Sequence, residues 1–236
     1  QVLEETRLFE HLVEIPPCSG VGRPNEMVGR RVSSSEDDTW KMPETADDAI
    51  VPLLGHMLQT LVERNDDLLA KNPDMEGSTS VFHASEGPCP ISVSEYTLRL
   101  HSHLVCSTSC FVAALAYLDR FIKQQPGFLL SSNSFHRLFL VSVRVASKCF
   151  DDLNYSNSYW ATTGGIELKE LNALELEFLF ALNFDLNLSR AQYELYRTAI
   201  FKVGESLQAE EMPPLNTCRK HYLLTISHGL PETANC

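Results

Sequence analysis

The sequence runs to 236 residues, 44% of them hydrophobic and 21% charged, with a formal net charge of −12 at pH 7. That length holds one ordinary domain with extensions, or two small ones. The acidity argues against a general affinity for nucleic acid or anionic membrane and suits a partner with a basic surface, although acidity also serves solubility by itself.

Gln1–Arg7 lacks the basic-then-apolar order of a secretory signal. No stretch approaches the roughly 20 continuous apolar residues that span a bilayer. Residues 1–46 read as a mobile arm, in which a short amphipathic piece, Leu3–Val13, runs into Pro16-Pro17 and a segment rich in glycine, serine and acid. Ser33, Ser34 and Ser35 beside Glu36-Asp37-Asp38 read as a solvated loop, with acid-directed phosphorylation as the alternative. Residues 47–90 read as a helix and a linker. Ile50, Leu53, Leu54, Met57, Leu58, Leu61 and Val62 keep the three-four spacing of one helical face. Thr45 or Asp47 can cap this helix, and Asn72-Pro73 stops it. Met75–Pro90 is a break rich in Gly, Ser and Pro.

Residues 91–203 are dense in apolar periodicity, and five helical runs are expected there before a sixth helix. The runs cover about Ser92–Val105, Thr108–Lys123, the segment after Ser131-Ser132-Asn133 to Cys149, Asn157–Thr162, and Glu167–Leu182. The third is nearly apolar all round, which predicts a buried central helix. Gly164-Gly165 closes the fourth. The sixth helix opens with the capping box Ser189-x-x-Gln192 and is expected to end at Gly204. Residues 204–236 form a polar tail broken by Pro213-Pro214. No segment alternates with period two for long enough to make a strand, so the fold class is all-α.

Seven cysteines, an odd number with three inside apolar helical runs, read as free thiols in a reducing compartment, hence the cytoplasm, the nucleus or both. The triplets Asn154-Tyr155-Ser156 and Asn187-Leu188-Ser189 would be silent as glycosylation signals there.

The sequence carries no phosphate loop, no Gly-x-Gly-x-x-Gly, no Gly-x-Ser-x-Gly and no His-Glu-x-x-His. His101, His103, Cys106 and Cys110 are the one metal-like set. Residues two apart on a helix point to opposite sides, so this set reads as packing, and no metal or cofactor is expected. Asp151-Asp152 at a helix end reads as a solvated turn more readily than as an acid–base pair. Nothing supports an enzyme.

More specific are the ordered motifs. Ala114-Leu115-Ala116-Tyr117-Leu118-Asp119-Arg120-Phe121 resembles the second-helix signature of cyclins, an alanine and aliphatic run ending in Asp-Arg-Phe. Val145-Ala146-Ser147-Lys148-Cys149-Phe150-Asp151-Asp152 is similar to the cyclin third helix. Gly164-Gly165-Ile166, Glu170-Leu171-Asn172, Leu174-Glu175-Leu176-Glu177-Phe178-Leu179 and Asn183-Phe184-Asp185-Leu186 resemble the fifth helix and its close. The likeness covers about Ile91–Ala199 and is nearest to the small P- and U-type cyclins of the phosphate-pathway class. Two departures stand out. Tyr96-Thr97-Leu98-Arg99-Leu100 replaces the Met-Arg-Ala-Ile-Leu patch, so Arg-x-Leu substrate docking is not implied. Cys149 stands where an aromatic is usual.

The resemblance implies a single cyclin box of five helices around a central buried helix, with flanking N- and C-terminal helices. It implies a non-catalytic regulatory subunit that binds and activates a cyclin-dependent protein kinase, in division-cycle or nutrient signalling. Lys148 and Glu175, 27 positions apart, are the implied paired contact, with Leu179, Phe184 and Leu186 as apolar contacts and Asp151 and Asp152 facing basic kinase residues. From the residues alone, an internal helix-to-helix salt bridge between Lys148 and Glu175 is the favoured reading. Asp119 and Arg120 are expected to fix helix ends. The competing readings are a transcription-factor-like helical adaptor, against which the net charge speaks, and a small metal enzyme built on the His/Cys set.

Overall fold

A computed structural model describes residues 49–72, 80–85, 87–125 and 127–208. The proposed arm, with Ser33–Ser35 and the caps Thr45 and Asp47, and the tail from residue 209 lie outside these. Among the described residues seven helices follow in order: α1 (Ile50–Lys71), α2 (Val93–His103), α3 (Thr108–Gln124), α4 (Ser132–Phe150), α5 (Asn157–Gly164), α6 (Leu168–Ala181) and α7 (Arg190–Gln208). Among the described residues there is no strand, and no helix is long and apolar enough to cross a membrane.

Apolar spacing builds these helices, and local polar chemistry ends them. Ser92 caps α2 in a reciprocal box with Glu95. The expected box at Ser189 forms, with the Gln192 N–H donating to Ser189 Oγ and the Ser189 N–H to Gln192 Oε1. α1 ends at Asn72, whose N–H donates to Leu68 O and Leu69 O. Two boundaries differ from expectation: α1 begins at Ile50 behind Ala49, which lends no side-chain cap, in place of Thr45 or Asp47, and α7 continues through Gly204 to Gln208, since a lone glycine costs a helix only about 1 kcal/mol.

The core is a pair of helices. α3 and α4 each bury thirteen residues. α4 packs against α1, α2, α3, α5 and α6, while α7 rests on α3 and α1. α1 anchors the start of α4 through Asp66, which accepts from the Ser132 N–H at 3.0 Å, and through Asn65, which donates to Leu130 O at 2.9 Å. Between α5 and α6 the chain turns at Gly165, whose φ of 76° suits glycine. Gly164 sits so close to α4 that an added Cβ would lie 2.3 Å from Leu140 Cδ2.

Phe82 in the α1–α2 connection is 3% exposed. Its ring meets Phe121 of α3 edge-on at 5.2 Å and Phe178 of α6 at 6.3 Å. Phe121 also stacks on Phe178 at 5.7 Å. This aromatic cluster fixes α6 against α3.

Candidate docking site

Lys148 lies in the last turn of α4 and Glu175 in the middle of α6, and these helices pack together. Lys148 Nζ donates to Glu175 Oε1 in an ion pair. The two side chains are unequally placed: Lys148 is 39% exposed and Glu175 11%. The acid is therefore the anchor and the base the surface group. Lys148 keeps donors to spare for acceptors on another molecule.

Behind the pair lies a polar cluster that sequence reasoning missed. Asn157 Nδ2 donates to Glu175 Oε2 at 2.9 Å and to Asn172 Oδ1 at 2.7 Å. Asn157 Oδ1 accepts from Arg144 Nε at 2.8 Å. Arg144 also donates to Asn154 Oδ1 at 3.1 Å and lies 5.1 Å over the Trp160 ring. Burial pushes the Arg144 guanidinium below its ordinary range, and Glu175 opposes that shift. Only the spacing hinted at this cluster: Arg144 precedes Lys148 by four residues and Asn172 precedes Glu175 by three, so each pair shares a helix face.

Asp151 and Asp152 differ in their surroundings. Asp151 accepts from the Ser107 N–H at 2.9 Å, from Ser107 Oγ at 2.8 Å and from Cys110 Sγ at 3.1 Å. Its carboxylate thus caps α3 from the end of α4, where the helix N-terminus favours a negative charge. Asp152 is exposed, and together with Asp151, Val105, Cys106, Ser107 and Leu153 it lines an open cleft of about 440 Å³.

On α6, Leu179 is half-buried against the core, as is Leu186 beyond the helix. Phe184 is 55% exposed and meets Phe180, itself 58% exposed, edge-on at 5.3 Å. Leu176 extends the same stripe at four-residue spacing and is also exposed. Phe180 and Leu176 were not singled out from sequence, because an apolar residue on a helix does not by itself reveal whether it faces in or out. Asn183 and Phe184 adopt φ values of 51° and 56°, a left-handed backbone uncommon without glycine. α3 holds this turn in place. Arg120 donates to Asp185 O at 2.9 Å and Asn187 O at 2.7 Å, and Tyr117 Oη donates to Leu186 O at 2.7 Å. Asp119 is buried and accepts from Lys123 at 2.7 Å and Tyr196 at 2.6 Å. The Asp119-Arg120 pair thereby joins α3 to α7 and to the turn after α6.

Among the described residues, no three His, Cys, Asp or Glu side chains are grouped so as to hold a metal ion. The His101 ring packs edge-on to Phe111 at 5.5 Å, and burial pushes the Cys106 thiol up to about 12. Cys106, Cys110 and Cys149 are free, but Cys89 is disulfide-bonded, which departs from the expectation of free thiols throughout.

The family model described as Cyclin matches residues 31–186. The chain is 40% identical over 159 residues to cyclin-U4-1 of Arabidopsis thaliana, a match covering 67% of this chain and 78% of that protein. It is 37% identical over 174 residues to cyclin-P4-1 of Oryza sativa subsp. japonica, covering 73% and 81% respectively. Cyclin-U1-1 of Arabidopsis thaliana is 35% identical over 158 residues, covering 65% and 75%.

Proposed function

The chain belongs to the cyclin family, of the plant U and P type, and on that premise we propose that it docks on a cyclin-dependent protein kinase and activates it. The observation that carries this reading is the Lys148–Glu175 pair at the rim between α4 and α6, with Lys148 turned outward and an exposed apolar stripe formed by Leu176 and Phe180 of α6 and by Phe184 in the turn after it. A half-exposed ammonium on a fixed acid grips backbone carbonyls. The neighbouring rings bury apolar area, on the order of 25 cal/mol per Å² removed from water. The net charge of −12 suits a kinase surface that is basic around this contact.

The chemistry stays with the kinase. A protein kinase needs its strand lysine paired with the glutamate of a mobile helix before phosphoryl transfer proceeds. A regulator that binds only the competent arrangement raises its population by its difference in affinity for the two states. This chain supplies that binding free energy and no catalytic side chain. Asp152 and the cleft beside it extend the contact toward basic kinase residues, while Leu179 and Leu186 support the apolar face from beneath. The reading covers division-cycle and nutrient-signalling kinases alike.

The test is calorimetry against a panel of purified plant cyclin-dependent kinases, with phosphorylation of a generic substrate followed in parallel. Binding to one of them at about 1:1, with activity that rises and saturates at that ratio, is expected. A chain that binds none of the panel, or binds without changing activity, contradicts the reading.

A further inference from the structure

Glu175 is held on two sides, and the second side has a direction. Its Oε1 accepts from the Lys148 ammonium and its Oε2 accepts a hydrogen bond from the Asn157 amide NH2. A primary amide has one accepting oxygen and one donating NH2 group, so it can face a carboxylate in only one orientation. Arg144 sets that orientation. A guanidinium only donates, so the atom it meets at 2.8 Å must be the Asn157 oxygen, which leaves the NH2 group toward Glu175 and Asn172.

Arg144 has little freedom to turn away. It is 4% exposed, its plane lies over Trp160, and its second nitrogen is engaged by Asn154. Asn154 is fixed in turn by donating to Ser147 O at 3.2 Å and Asp151 O at 2.8 Å. A reversed Asn157 amide would set oxygen against the Glu175 carboxylate and NH2 against the guanidinium, so both contacts would repel.

We propose that Arg144 and Asn157 are positioning residues for partner docking: through the Asn157 amide they fix the Glu175 carboxylate, which in turn holds the Lys148 ammonium at the rim. The inference rests on the reading of Lys148 as a partner contact.

The test uses the full chain and the purified kinase that binds it, with affinity measured by calorimetry and folding followed by thermal melts. In N157D a carboxylate faces Glu175, and affinity should fall about tenfold, as for other disrupted interfacial charge pairs. E175Q alone sets NH2 against NH2 and should fall similarly. The double variant N157D/E175Q restores a donor facing an acceptor and should return to within about threefold of the parent, a coupling of the kind neighbouring groups display. In a Lys148→Met background, N157D should change affinity less than about twofold, because its effect passes through Lys148. A purely structural role would lower affinity equally in both backgrounds. Should N157D fail to fold, Asn157→Ala removes all three side-chain hydrogen bonds without new charge and is read the same way. Unchanged affinity in N157D, no rescue in the double variant, or an equal loss in the Lys148→Met background overturns the relay while the docking reading stands. Undiminished affinity in Lys148→Met overturns the docking reading and the relay together.

Discussion

Separate truncation of Lys148 and Glu175 gives unequal outcomes in stability and in binding, and the inequality can be worked from exposure. Lys148→Ala removes an ammonium that is 39% exposed and leaves Glu175 with its Asn157 donor. Ion pairs this open to solvent contribute about 0–1 kcal/mol, so stability should change by no more than that. Glu175→Ala removes a carboxylate that is 11% exposed, strips Asn157 of one acceptor, and takes away the charge that favours the buried Arg144 cation. A hydrogen bond to a charged group contributes about 1.5–3 kcal/mol; with the discounted ion pair added, the loss is about 1.5–4 kcal/mol. Urea unfolding followed by circular dichroism measures both, and native helicity should be retained in each variant. Kinase affinity should rank differently: Lys148→Ala, nearly silent in stability, should weaken binding about ten- to a hundredfold, or about 1.4–2.8 kcal/mol. If Lys148→Ala destabilises the fold as much as Glu175→Ala, or binds like the parent, the division into anchor and surface contact is wrong.

Other perturbations probe the frame behind the site. Gly164→Ala forces a methyl group into Leu140, which is fully buried, and should cost about 1–3 kcal/mol in urea unfolding. Phe82→Ala opens the aromatic cluster that braces α6 and should cost about 3–5 kcal/mol, with faster hydrogen exchange along α6. His136 is buried against Tyr96 and pairs with Ile91 O at 2.8 Å; burial, with Arg137 adding to it, lowers its pKa despite opposing backbone hydrogen bonds. The unfolded chain then takes up the proton first. Stability is full above about pH 6.5 and falls as pH drops below it, by at most about 1.4 kcal/mol per unit for one proton. Burial lowers the His103 pKa as well, so it adds in the same sense. Unfolding midpoints between pH 7.5 and 5.5 check this, and His136→Gln should flatten the profile.

Much of the helical frame was legible because a helix writes its buried face into its own spacing. Ile50 through Val62 and the Leu168–Leu182 run gave α1 and α6, and Ser189-x-x-Gln192 gave the start of α7. The pairing of Lys148 with Glu175 was legible only through motif resemblance, since the two residues come from different helices. The rest depends on contacts that spacing does not encode. Asp151 caps α3 across 44 residues, Phe82 reaches α6 from a connection that reads as mere linker, and Arg144 meets two asparagines from a loop and a helix start. Polar side chains of this kind have several possible partners, and tertiary packing selects among them. The exposed ring of Phe180 escaped notice for the complementary reason: its neighbours on the helix are equally apolar, and only the packing of α6 decides which of them face outward.

Hydrogen–deuterium exchange of the chain, alone and with the purified kinase that binds it, tests the docking face most directly. Slower exchange is predicted over the last turn of α4, the loop after it and α6, with amides distant from that face, such as those of α1, unchanged. A complex that forms while α6 exchanges at its free rate would contradict the assignment.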